Sequence, residues 1–297
     1  MSISRRHHYI PKFLIQGFAG DDGKLAVFDR QKNLLNPSRK YPKQVFYEWN
    51  RNLFFVNGKE TDFIEELFSK IESRFAPAYH RIISKEKNPE NPYFDHFHLI
   101  HYLGILFNSL PLNDEKITEL VQKSTFEDFA FQIRNKDGSE IPEHKKKEIL
   151  KRFRQEPAFT QAIKSWKGIT DYLKLDIVKF SQFCKVYHAA SEVQLHLLGD
   201  NPFLLKNERV SAVYESEFIF PLSKGVTFYH YFGKELKSIS AENRIKVDIL
   251  IFLQSNKLVC SPDSSYLSMI ANIASKYDSK EKIIKLKELI FRIFENN

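Results

Sequence analysis

Hydrophobic and polar residues alternate in several short segments near the start of the chain, which is the pattern of half-buried strands. The clearest is KLAVFDR at 24–30, which follows the turn signal GDDGK. QVFYEW at 44–49 and NLFFVNG at 52–58 are rich in aromatic and β-branched residues, which are also typical of strands. We therefore predict a β-rich unit over residues 1–58.

The period changes to that of a helix from Thr61 onward. Apolar residues recur at helical spacing across 61–85, and Pro77 is expected to kink or end this helix. The segments 91–111, 112–135 and 142–157 also have helical patterns, and the last is strongly basic. We predict that the helical region extends over 61–190, because the apolar pattern continues to about residue 190.

A second β-rich unit is predicted at 192–233, where EVQLHLLGDNPFLLKN and SEFIFPLSKGVTFYHYFG are both typical of two strands joined by a turn. The remainder, 241–297, has helical periodicity. This order predicts one mostly helical α+β domain over 1–297. The N-terminal strands and those near 192–231 are expected to form a single mixed or antiparallel sheet.

Composition and charge narrow the class of protein. Hydrophobic residues make up 42% and aromatic residues 14% of the 297 residues, which excludes a disordered chain. The net charge of +8 favours a polyanionic partner such as nucleic acid, although many basic proteins have none. Cys184 and Cys260 lie far apart and form no CxxC motif, so we expect a reduced, cytoplasmic protein. No run is long enough for a membrane span, so no membrane partner is expected.

The opening HHYIPKFLIQGFA, the strand LAVFDR, the helix IEELFSKIESRFA, the turn DNP and the segment FPLSKGVTFY together resemble the bacterial family catalogued as domain of unknown function 4238. The resemblance runs from His7 to about Leu267. This chain has Gly199 where members usually place serine or threonine, and FNSLPLND at 107–114 where many carry an Arg-Thr-Pro-like helix end. The family name implies no activity, so the chemistry is argued from residues.

The tandem pair His7 and His8 is the first candidate for catalysis. An imidazole can act as a general base or a metal ligand, but side chains of adjacent strand residues point to opposite faces, so at most one enters a given pocket. Asp200 and Asn201, in the GDNP turn, are the predicted catalytic partners. The alternative is that one histidine hydrogen-bonds a neighbouring backbone group while the other is solvated, and that GDNP is a plain Asx-Pro turn whose side chain caps the backbone.

Glu65 and Glu72 are candidate metal ligands together with Asp200, since carboxylates with a histidine can bind Mg²⁺ or Mn²⁺. The alternative is that both glutamates belong to the solvated face of an amphipathic helix. Basic residues at the start of the chain and in the helix at 142–157 are candidates for binding a phosphate backbone. The alternative is that they form a solvated face that binds no nucleic acid. They are Arg5, Arg6, Lys145, Lys146, Lys147, Lys151 and Arg152.

These features favour a nucleic-acid-directed hydrolase, an RNase- or DNase-like effector with a His/Asp centre. The competing hypothesis is a non-enzymatic protein- or nucleic-acid-binding module. The sequence has no Gly-rich phosphate loop, Rossmann fingerprint or nucleophile elbow, so we set aside the kinase, NTPase, dehydrogenase and α/β-hydrolase classes. RNA or DNA, a partner protein and a second copy of the chain all stay open as partners. A role in phage defence or as a toxin rests on analogy alone.

Overall fold

The structure is a computed structural model. It describes residues 5–56, 59–86, 88, 91, 93–125, 128, 134–135, 137–155, 157–189 and 196–295.

Apart from one short helix near the start, the helices occupy the middle and the end of the chain. Their bounds are α1 Lys12–Gln16, α2 Phe63–Ser84, α3 Phe94–Ser109, α4 Asp114–Lys123, α5 Glu143–Gln155, α6 Pro157–Leu173, α7 Ile177–Ser181, α8 Ala241–Gln254, α9 Ser264–Ala274 and α10 Lys280–Arg292. The last three begin at side chains that accept a backbone N–H of the first turn, Ser240, Asp263 and Ser279. Such caps satisfy otherwise unpaired donors and fix where a helix starts.

The helix α2 continues through Pro77, so of the two expected effects of this residue, a kink or an end, the end does not occur. Two further turns follow before the chain leaves the helix at Lys85, which has a left-handed φ of 61°. Acidic residues Glu65 and Glu66 lie in the first turn and Arg81 in the last. This charge distribution complements the helix dipole at both ends.

Strands are short and lie in two stretches of the chain, 6–61 and 184–261. Their bounds are β1 Arg6–His8, β2 Ala26–Asp29, β3 Leu34–Leu35, β4 Tyr47–Trp49, β5 Phe54–Val56, β6 Lys59–Thr61, β7 Cys184–His188, β8 Leu198–Gly199, β9 Leu204–Leu205, β10 Phe218–Ser223, β11 Val226–His230 and β12 Leu258–Ser261. They form two four-stranded sheets, β7-β11-β10-β9 and β3-β2-β12-β8, and two ribbons, β1-β4 and β5-β6. All the pairings are antiparallel.

The α+β class is confirmed, but the expected single sheet is two separate sheets. The strands β2 and β8 share a sheet only through β12, whereas β9, β10 and β11 belong to the other sheet with β7. Both β7 and β12 fall where we predicted helix. Each is fixed by pairing with distant residues, β7 along all of β11 and β12 along all of β2. The division of the chain as a single domain stays a prediction.

Some elements are shorter in the structure than predicted, and others cannot be compared because they fall outside the described residues. The helix predicted over 112–135 ends at Lys123, and most of 126–133 lies outside the described residues. Val193 and Leu195, which carried the strand prediction at 192–197, also lie outside them. Within the described ranges, no helix has the length and apolar character that a membrane crossing requires.

Two large hydrophobic clusters pack the helices against the sheets. One joins α1, α2 and α3 to the Phe-rich faces of β10 and β11. The other joins α8, α9 and α10 to β2 and β12. The β1-β4 ribbon lies at the edge of the first cluster, where Tyr9 donates its N–H to the carbonyl of Phe46 at 3.0 Å. The tandem histidines therefore sit where a ribbon meets α2 and α3.

Candidate active site

The strand β1 separates the two histidines, as the alternation of side chains predicts. His7 faces inward and is 0% exposed. Its Nδ1 accepts the backbone N–H of Asn52 at 2.8 Å. The Asn52 side chain in turn donates to Glu65 at 3.0 Å, so His7 fixes the turn after β4 against the start of α2.

His8 lies on the other face and lines a pocket between β1, α2 and α3. Its ring atom Nε2 is buried and has no hydrogen-bond partner among the described residues. The pKa of His8 is lowered to about 4, first by burial and then by the nearby charge of Lys12. His8 is therefore neutral at physiological pH and presents an unpaired ring nitrogen.

Glu72 shares this pocket with His8 and Tyr102. Burial, followed by repulsion from Glu65, raises the pKa of Glu72 to about 7, while Lys12 acts in the opposite direction. A carboxyl group with this pKa is protonated in part of the molecules at neutral pH and ionised in the rest. It can therefore take up and release a proton under physiological conditions.

The pocket is small and has a rigid polar wall. Its cavity volume of ≈ 20 Å³ is enough for one water molecule. Arg51, whose side chain is 5% exposed, forms one side and bonds Asp114 at 2.7 and 2.9 Å, Glu48 at 2.6 Å and the carbonyl of Ser109 at 3.2 Å. Lys164 also binds Asp114. Because these carboxylates neutralise it, Arg51 supports the pocket rather than offering a free cation.

Asp200 is not among the residues that line this pocket. Its two carboxylate oxygens accept the backbone N–H groups of Asn256 at 2.9 Å and Lys257 at 2.6 Å, which holds the turn between α8 and β12. Asn201 likewise exchanges hydrogen bonds with Gln254. These hydrogen bonds to the backbone match the alternative that the GDNP turn has a structural role. One link to the pocket is electrostatic, since burial and then Asp200 raise the pKa of Tyr9, a pocket residue.

The metal site predicted at Glu65, Glu72 and Asp200 is not formed as a ligand set. Within the described part of the chain, no group of three or more His, Cys, Asp or Glu side chains could hold a metal ion. Only Glu65 and Glu72 are brought close together, two turns apart on α2. The Mg²⁺ or Mn²⁺ expectation therefore gains no support from the geometry.

The predicted basic residues occupy two places. Arg5 forms an ion pair with Glu60 at 2.7 Å, and Arg6 lies over the rings of Tyr47 and Trp49. The others lie on α5, where all except Lys146 are exposed and Lys146 pairs with Glu143 at 3.5 Å. These are Lys145, Lys146, Lys147, Lys151 and Arg152.

Sequence reasoning missed Asn52, Arg51, Tyr102 and Lys12. Asn52 and Arg51 form a polar interruption between two aromatic strands, and such a turn between strands was the available signal. Tyr102 lies in a helix that is apolar on most sides, so nothing in its surroundings marks it.

A second buried histidine lies in the other half of the protein. His196, Asp248 and Thr227 are each 0–1% exposed. Asp248 binds His196 Nδ1 at 2.9 Å and accepts the N–H of Leu197 at 3.2 Å and the hydroxyl of Tyr266 at 2.5 Å. The hydroxyl of Thr227 binds His196 Nε2. Both ring nitrogens are thus partnered.

Comparison with known proteins places the chain in a family. The family model described as protein of unknown function (DUF4238) matches residues 6–265, which takes in the β1-β4 ribbon, the His8 pocket and the GDNP turn. No curated protein and no solved structure matches the chain. The length of the family match shows that the chain belongs to the DUF4238 family.

Proposed function

We propose that the protein is a nucleic-acid-directed hydrolase whose reaction centre is the pocket of His8 and Glu72. The observation that carries this proposal is that two titratable side chains with strongly shifted pKa values line one pocket. Shifted pKa values in a cleft are characteristic of functional sites. Asp200, which we expected to be the catalytic partner, is replaced in this proposal by Glu72.

The two residues have different roles. Ionised Glu72 acts as general base and removes a proton from the one water molecule that the pocket can hold. The oxygen attacks the phosphorus, and the leaving oxygen takes a proton from solvent as its bond to phosphorus breaks. Neutral His8 positions the attacking group through Nε2, because its low pKa makes it a poor proton carrier at neutral pH.

Charge around the pocket favours an anionic substrate. Lys12 and Arg6 both lower the pKa of His8 by their proximity, and Lys12 is exposed on α1 beside the pocket. The exposed lysines of α5 and the net charge of +8 would add attraction for a phosphate backbone at longer range.

The alternative of a non-enzymatic binding module has its own supporting observation. His7 and Asp200 both accept hydrogen bonds from backbone N–H groups, as residues with a structural role would. This alternative predicts binding without turnover.

Cleavage of matched single-stranded RNA and DNA oligonucleotides, with and without EDTA, tests the proposal. We expect Glu72→Gln to lower the cleavage rate about 10²- to 10⁴-fold, and His8→Gln to lower it by a smaller factor. Glu66→Gln, an exposed residue on the same helix, is the matched control and should cut like the parent. Absence of cleavage by the parent protein, or equal rates for the parent and Glu72→Gln, would reject the enzyme and favour the binding module.

A further inference from the structure

We infer that Trp49, Tyr47 and Arg6 form a stacking platform that holds one nucleotide of a single-stranded nucleic acid next to the His8 pocket. This inference rests on the proposed function, because it takes the same pocket as the reaction centre. It adds what the pocket alone does not supply, a surface that recognises a base.

The platform is built by the pairing of two short strands. In the β1-β4 ribbon, Arg6 lies opposite Trp49 and His8 lies opposite Tyr47. Residues two apart on a strand share a face, so these four side chains lie on one face of the ribbon. The other face carries His7 and Glu48, which bind Asn52 and Arg51. The four side chains on the first face therefore form a row that ends at His8, in the proposed reaction centre.

The aromatic part of this row is open to a ligand. Trp49 is 59% exposed. The Arg6 guanidinium lies 4.9 Å from the Trp49 ring centroid and 5.1 Å from that of Tyr47. The Tyr47 ring stands edge-on to Trp49 at 6.0 Å and lies 5.8 Å from His8. Stacking on Arg6 and packing against Tyr47 hold the large indole in place before any ligand arrives.

The chemistry of the row fits a nucleotide. An exposed indole stacks with any base, and an arginine beside it can meet the adjoining phosphate. Arg6 and His8 lie two residues apart, about 6.6 Å along a strand, so a base at Trp49 and a phosphate at the opening of the His8 pocket can belong to neighbouring parts of one nucleic-acid strand. A partner protein that uses Trp49 as an apolar contact would need no base.

Fluorescence of Trp49 provides a direct test. The chain has two tryptophans, so Trp166→Phe leaves Trp49 as the single indole. In a Glu72→Gln background, which slows turnover, a single-stranded oligonucleotide should quench this emission in a saturable manner. An abasic strand of the same length should not. Should Trp166→Phe fail to fold, the difference in quenching between the Glu72→Gln protein and its Trp49→Phe variant reports the same contact.

Affinity measurements complete the test. Trp49→Ala should weaken binding of the oligonucleotide about tenfold and leave binding of the abasic strand unchanged. Tyr93→Ala removes another exposed ring, 68% exposed, and should bind like the parent. Unchanged Trp49 emission and unchanged affinity of Trp49→Ala, in a parent protein that cuts nucleic acid, would overturn the platform and leave the proposed function standing. Quenching by the oligonucleotide in a protein that does not cut would support the platform and reject the proposed function.

Discussion

Two histidines of this protein, His196 buried and His8 half-buried, differ in how their ring nitrogens are bonded. His196 lies in a closed network in which Asp248 and Thr227 satisfy both ring nitrogens. His8 lies in a pocket where Nε2 has no partner among the described residues. Burial lowers the pKa of both rings.

The difference lies in what the neighbouring carboxyl group does. Asp248 accepts three hydrogen bonds and is 0% exposed, so it is committed to structure. Glu72 lies at a pocket, and burial and repulsion from Glu65 raise its pKa to about 7. A satisfied polar network stabilises and specifies a core, whereas an unpaired ring nitrogen beside a titratable carboxyl group leaves a bond that a water molecule or a substrate can complete.

The largest expected effect comes from breaking the closed network. Asp248→Ala leaves His196, the Leu197 N–H and the Tyr266 hydroxyl without their acceptor. It also removes a negative charge that favours the charged form of Arg244. We expect a loss of about 3–5 kcal/mol in the free energy of unfolding, measured by urea denaturation. Asp278→Ala, an exposed acid paired with Lys282, is the control and should change stability little. A loss below about 1 kcal/mol for Asp248→Ala would mean that the network is not structural.

Glu72 should behave in the opposite way. Its folded pKa of about 7 lies above the ordinary 4.5, so the folded state holds more protons between these values and stability falls as the pH rises through this window. Glu72→Gln should therefore raise the free energy of unfolding by about 2 kcal/mol at pH 8 and have little effect near pH 4. Chemical denaturation at several pH values measures this. An equal effect at both pH values would show that Glu72 is not perturbed in the folded protein.

The smallest effect is expected at His8. Its folded pKa of about 4 lies below the ordinary 6.5, so stability is lost as the pH falls from about 6.5 toward 4. His8→Gln should remove this loss, worth about 1 kcal/mol at pH 5 after allowance for its partial exposure. His144→Gln, exposed on α5, is the matched control. If His8→Gln instead destabilises the protein as much at pH 8 as at pH 5, then His8 is a structural residue like His196.

The sequence predicted the elements whose pattern is local. Helical spacing placed Glu65 and Glu72 on one helix, and the alternation of side chains separated His7 from His8. Strands β7 and β12 were missed because each is set by register with distant strands, β11 and β2. Local propensity does not contain that information.

The candidate site was predicted only in part, again because local patterns do not show which distant residues come together. The residue types of His8 and Glu72 were enough to make them candidates for catalysis. That they line the same pocket depends on how the β1-β4 ribbon packs on α2 and α3. Asp200 was chosen because an acidic turn after a strand commonly serves a site. Its two backbone hydrogen bonds come from residues 256 and 257, which no local pattern links to it.

Glu72 should ionise near neutral pH inside the His8 pocket. Carbon-13 NMR titration of the glutamate side-chain carboxyl groups, with the Glu72 signal assigned by its absence in Glu72→Gln, measures this directly. We expect an apparent pKa of about 7 for this signal. A signal that titrates near the ordinary glutamate value of about 4.3 would contradict it.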